Sequence, residues 1–149
     1  MSWRSKSIIV LFFAVALGCN DSTVSRSSSA PVSKAPLTEI AGADLEQFIE
    51  SSELPVLVEF GVDYNCGRCD SMKPQVTLLA DKYKGNAKVL RVDFSSNVEL
   101  VTKYGGTICP TYALFEPGQL DPVFVQSFPT SSDMLESSLL SVLAFLDDE

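Results

Sequence analysis

Val56-Leu57-Val58-Glu59-Phe60 is followed by a short polar loop and then by Cys66-Gly67-Arg68-Cys69, with Pro74 five residues beyond the second cysteine. Five residues that are nearly all apolar read as a central strand covered on both faces. The loop passes through Asp63 and Asn65 to Cys66, after which Val76, Leu79, Ala80 and Tyr83 recur at helical spacing. Pro74 should kink that helix. Upstream, Asp44 can N-cap a helix whose Leu45, Phe48 and Ile49 share one face, ending near Ser51. Downstream, Lys88 to Asp93 reads as a strand, Val98 to Tyr104 as a short helix and Thr111 to Phe115 as a third strand. Glu116-Pro117-Gly118-Gln119 puts Pro and Gly at the two central positions of a type II turn, and Pro122 to Gln126 supplies the hairpin partner. Asp133 opens the last helix, with Glu136 three residues on as a capping box, and Leu135, Leu139, Val142, Leu143 and Leu146 form its buried face. The order αβαβαββα predicts an α/β fold with a central mixed sheet flanked by helices on both faces.

Composition narrows the chemistry. The chain has 149 residues, 46% apolar and 20% charged, enough for one globular domain. Eleven Lys and Arg against nineteen Asp and Glu give a net charge of −8, so the basic footprint of a nucleic-acid binder is missing. With no histidine, Ser-His-Asp and Cys-His nucleophile pairs and every imidazole-dependent zinc site are excluded. Four cysteines carry the remaining signal.

The first residues read as a targeting segment. Arg4 and Lys6 precede an apolar run from Ile8 to Leu17, well short of the roughly 20 residues of a membrane-spanning helix. Ala16-Leu17-Gly18-Cys19 resembles a bacterial lipobox, with Ala16 where Leu is usual. Residues 1–18 are thus expected to be a lipoprotein signal peptide and Cys19 the lipidated residue. The competing reading is an ordinary signal peptide in which Cys19 is incidental. Cleavage there removes Arg4 and Lys6 and takes the net charge from −8 to −10. Residues 19–37, rich in Ser with Pro31 and Pro36, read as a flexible tether, and residues 38–149 as the domain it carries.

The strand and Cys66-Gly67-Arg68-Cys69, then Pro74, Lys103-Tyr104-Gly105, Pro110-Thr111 and Leu114-Phe115-Glu116-Pro117-Gly118, resemble the thioredoxin family in order and spacing, from about Ala41 to the C-terminus. The resemblance implies the thioredoxin fold. It also assigns Glu59 the place of a buried acid that moves protons for the resolving cysteine, and Pro110 that of a cis-proline packed against the active-site disulfide. A carboxylate buried without a partner holds a proton more readily, which suits such a role; the plainer reading of Glu59 is an edge-facing or water-bridged structural residue. The chain departs from the family at Asn65, Arg68 and Asp70, where Trp, Pro and Lys are usual, and the stretch from Glu59 to Cys66 is one residue longer. These departures bear on substrate choice and on potential, which spans about −270 to −120 mV in such proteins.

Thiol–disulfide exchange needs one accessible thiolate and a second thiol near enough to expel the partner. Cys66, at a helix start, has the dipole and free N–H groups to stabilise a thiolate, and the spacing sets Cys69 one turn in as the resolving thiol. No other cofactor is called for: the Cys66–Cys69 dithiol/disulfide carries the electrons. Arg68 either lowers the Cys66 pKa further or is a solvated helix-start residue, and with Cys109 and Pro110 it belongs to the expected substrate-binding rim. Cys109 is read either as a small buried filler, or as a partner of Cys66 in a regulatory disulfide, or as a ligand. Two functions follow. One is a membrane-tethered extracytoplasmic oxidoreductase acting on thiols and disulfides of exported proteins, recharged by a membrane electron donor or acceptor. The other is a module holding Cu(I) or an iron–sulfur cluster through Cys66, Cys69 and Cys109, against which the lack of His and Met ligands near the motif counts where copper delivery is concerned.

Overall fold

The computed structural model describes residues 37–148. The expected signal peptide, Cys19 and the expected tether up to residue 36 lie outside the described residues. Nine elements follow in order: β1 (Thr38–Glu39), α1 (Gly42–Glu50), β2 (Val56–Gly61), α2 (Gly67–Lys82), β3 (Lys88–Asp93), α3 (Val98–Lys103), β4 (Thr111–Phe115), β5 (Phe124–Ser127) and α4 (Asp133–Asp147). They form one five-stranded sheet in the order β1-β3-β2-β4-β5. β3 runs parallel to both β1 and β2, whereas β4 is antiparallel to β2 and to β5. The mixed sheet expected from the alternation is therefore present.

β2 lies in the middle and every one of its residues is buried. Its side chains alternate between two cores. Leu57 packs with Met72, Val76, Leu79, Leu135 and Leu139 of α2 and α4 on one face. Val56, Val58 and Phe60 pack with Leu45, Ile49 and Val101 of α1 and α3 on the other. Each fully buried Leu, Val or Phe contributes about 1.5–3 kcal/mol, so a truncation such as Leu139→Ala costs about 2–5 kcal/mol. Among the described residues no helix is long and apolar enough to cross a membrane.

The structure corrects several local expectations. β1 was not foreseen: its two residues have exposed side chains and no periodicity, and it is held by pairing with Leu90 and Arg91. The helix cap at the start of α1 is Ala41, not Asp44, whose N–H bonds the Ala41 carbonyl while its charge sits in the first turn. No capping box opens α4, because Glu136 accepts instead from Tyr83 Oη at 2.8 Å and pairs with Lys82. β5 begins at Phe124 rather than Pro122. The turn before it is as expected, with Gln119 N–H bonding the Glu116 carbonyl and Gly118 at φ +69°, a conformation that favours glycine. α2 continues through Pro74 to Lys82.

Candidate active site

Three chain segments converge at the C-terminal end of β2. The loop leaving β2 turns at Asn65, which has φ +52°, and delivers Cys66 as the N-cap of α2. The Cys69 N–H donates to Cys66 Sγ at 3.1 Å, one of the N–H groups a helix start leaves without a backbone partner. Cys66 and Cys69 form a disulfide, with Cys66 half-buried and Cys69 fully buried. One sulfur is therefore open to a partner and the other shielded, the asymmetry that exchange requires.

The Cys109–Pro110 peptide bond is cis and brings the third segment against the disulfide. Cys109 Sγ stands 3.2 Å from Cys69 Sγ and 3.9 Å from Cys66 Sγ. The third thiol thus lies nearer Cys69 than Cys66, the cysteine with which a pairing was considered from the sequence. Burial pushes the Cys109 thiol pKa up, against the pull of a backbone hydrogen bond from Val62; the Glu59 and Asp93 carboxylates add to the rise. The Pro110 carbonyl accepts from Phe128 N–H at 2.7 Å. Phe128 itself sits at φ +55° and is exposed, and the Arg68 guanidinium lies 4.7 Å over its ring. Arg68 is therefore engaged with Phe128 rather than freely solvated. Tyr64 and Ile108 are the other exposed apolar side chains in the loops that carry Cys66 and Cys109.

Glu59 is fully buried on the central strand and has side-chain partners, which corrects the unpartnered and the edge-facing readings. Its strand neighbours in register are Arg91 on β3 and Tyr112 on β4, and both bond it. Arg91 donates to Oε2 from Nη2 at 2.8 Å and from Nε at 3.2 Å; Tyr112 Oη donates to Oε1 at 3.0 Å. Arg91 Nη1 reaches on to Asp63 Oδ1 at 2.9 Å, and Lys73 binds the same oxygen at 2.5 Å. Desolvation disfavours the Arg91 charge, yet attraction from Glu59 and then Asp63 outweighs it and leaves its pKa raised. Desolvation, with Glu59 beside it, also drives the Tyr112 hydroxyl pKa far up. Lys73, ahead of Arg91, lowers that of Asp63.

Arg91, Tyr112, Asp63 and Phe128 were not singled out from the sequence. Arg91 had a signal, since a charge inside the apolar run Lys88 to Asp93 mirrors Glu59 inside β2. Phe128 had none, because a residue before proline is expected to be extended.

Comparison with known proteins agrees with this geometry. A family model described as Thioredoxin matches residues 36–139. Thioredoxin 1 of Nostoc sp. is 32% identical over 103 residues, covering 68% of this chain and 95% of that one. Thioredoxin of Porphyra purpurea is 29% identical over 103 residues, covering 69% and 94%. Among solved structures, chloroplastic thioredoxin z superposes with a TM-score of 0.63 at 20% identity, over 74% of this chain and 96% of that one. Fasciola hepatica thioredoxin gives 0.60 at 26% identity, over 70% and 98%. With a paired CxxC at a helix start, a cis-proline beside it and these likenesses together, the chain belongs to the thioredoxin family and is a thiol–disulfide oxidoreductase.

Proposed function

We propose that this protein is a membrane-tethered oxidoreductase working outside the cytoplasm on thiols and disulfides of exported proteins. The observation that carries the chemistry is the half-buried Cys66 sulfur at the N-terminus of α2, bonded to a buried Cys69. In the reducing direction the Cys66 thiolate attacks a substrate disulfide, forming a mixed disulfide and releasing one substrate thiolate. Cys69 then attacks the Cys66 sulfur, closing Cys66–Cys69 and releasing the second, so two electrons pass from protein to substrate. Glu59 takes the Cys69 proton. That role rests on the family resemblance, and in this chain Arg91 and Tyr112 hold the carboxylate in place by three hydrogen bonds. The Cys109–Pro110 segment and Arg68 line the docking rim, where exposed Tyr64, Ile108 and Phe128 suit the apolar side chains of a protein substrate. A membrane electron donor or acceptor resets the couple, and no bound cofactor or nucleic acid takes part.

Support for the tether is the Ala16-Leu17-Gly18-Cys19 tetrad and the Ser-rich segment after it. The chemistry is tested by Cys66→Ser, which abolishes reduction of insulin disulfides; wild-type rates in that variant overturn the assignment. The tether is tested by expressing the full chain with Cys19→Ser in a bacterium. Release from the membrane fraction is expected, and unchanged membrane association contradicts lipidation.

A further inference from the structure

Among the described residues, Cys66, Cys69 and Cys109 are a cluster whose sulfur atoms all lie within 4.8 Å of one another. Two edges of that triangle, 3.2 and 3.9 Å, are non-bonded, and the third is the disulfide. Around a three-coordinate ion with metal–sulfur bonds near 2.3 Å, sulfurs stand about 4 Å apart. Opening the disulfide frees its two sulfurs to separate toward the same spacing, which makes the triangle one of ligand size.

We propose that reduction of Cys66–Cys69 creates a three-thiolate site for Cu(I), made of Cys66, Cys69 and Cys109. The inference rests on the proposed function only in needing the couple to be reducible. Soft thiolates select Cu(I), zinc and iron–sulfur clusters, and the donor count separates these. Zinc in a closed site and a [4Fe–4S] cluster take four protein ligands, whereas the cluster has three members, the chain has no histidine, and among the described residues no carboxylate joins the group. Cu(I) is satisfied by three. The backbone is arranged to support such ligands: the Cys69 N–H faces Cys66 Sγ and a Val62 backbone group faces Cys109. Cys109 is also poorly placed to rearrange the disulfide. In-line attack on Cys69 would set Cys66 a full bond length farther from Cys109 than Cys69 is, yet the two distances differ by less than an ångström. The third thiol flanks the bond, as a ligand would.

The balance is simple. A dithiol donor supplies two electrons and two protons to open the disulfide, and Cu(I) then displaces three protons to give a dianionic three-thiolate complex. A disulfide oxidant that accepts two electrons and leaves as a dithiol restores Cys66–Cys69 and expels Cu(I), and Cys109 takes up a proton. Because Cys66 is at once ligand and nucleophile, Cu(I) and disulfide substrates compete for it.

The test uses the full chain carrying Cys19→Ser, reduced anaerobically with a phosphine and titrated with Cu(I) against a chromogenic Cu(I) chelator. One Cu(I) per reduced chain is expected, with three sulfurs by X-ray absorption and none bound by the oxidised chain. Cys109→Ser, with folding checked by circular dichroism, should bind at least about tenfold more weakly. Two-sulfur coordination in the unsubstituted site, or binding by Cys109→Ser within about twofold of it, overturns the proposal. The sulfur count needs no variant. Insulin reduction by the metal-free chain is scored separately, so three-sulfur binding without reductase activity leaves this site standing and removes only the proposed function.

Discussion

Replacing Arg91 by Met should destabilise the protein by about 3–5 kcal/mol, the cost of leaving a buried charge without its partner. Glu59 is 0% exposed and the Arg91 side chain 12%, so solvent cannot take the place of the lost guanidinium. Two charge-assisted bonds to Glu59 disappear, each carrying about 1.5–3 kcal/mol. The bond to Asp63 adds little, because that carboxylate is 64% exposed and keeps Lys73. The double variant Glu59→Leu/Arg91→Met removes both charges and leaves only the Tyr112 hydroxyl without its acceptor, a penalty of about 1–3 kcal/mol. It should therefore be more stable than Arg91→Met alone, a non-additivity that a denaturant cycle on the oxidised chain measures. If Arg91→Met falls within about 1 kcal/mol of wild type, or if the two substitutions add, the buried pair is not what the geometry implies.

Other consequences are open to simple measurement. Phe128→Gly should be about 1 kcal/mol more stable in urea than Phe128→Ala, since both lose the Arg68 contact but only alanine keeps a side chain at φ +55°. Cys109 in the oxidised chain should react with iodoacetamide with a pH midpoint above the ordinary thiol range, because burial raises its pKa. The native state then holds that proton longer than the unfolded chain, so the associated stability is present at lower pH and lost as pH rises from the ordinary thiol value through the raised one; a midpoint at or below a peptide thiol contradicts this. Tyr104, pushed up to about 12 by burial and then by Glu46, and Tyr112, pushed higher, should stay protonated where model tyrosine ionises. An ultraviolet phenolate titration in which every tyrosine ionises with model-like behaviour would refute that.

Much of this was legible in the sequence because it rests on local rules. The run from Val56 to Phe60 is apolar enough to be a central strand, and β3 and β4 begin and end where their residues change character. The thiol pair is recognisable from spacing alone, since a helix start fixes which sulfur is outermost. What stayed hidden depends on pairing between distant segments. Glu59 could be flagged as a charge in an apolar strand, but its partners are set by register: Arg91 and Tyr112 are 32 and 53 residues away. Glu136 has the spacing of a capping box and is drawn off by Tyr83 and Lys82 on α2 and its C-cap, a tertiary contact that outcompetes a local one. Phe128 takes its backbone conformation where its N–H meets the Pro110 carbonyl, again across the fold.

A redox titration of the full chain carrying Cys19→Ser, quenched by alkylation and read by peptide mass spectrometry, reports potential and connectivity together. A single reversible two-electron couple between Cys66 and Cys69, with Cys109 alkylated as a free thiol throughout, is the result expected of this site. A disulfide from Cys109 to either partner at equilibrium, or cysteines 66 and 69 that never pair, would contradict it.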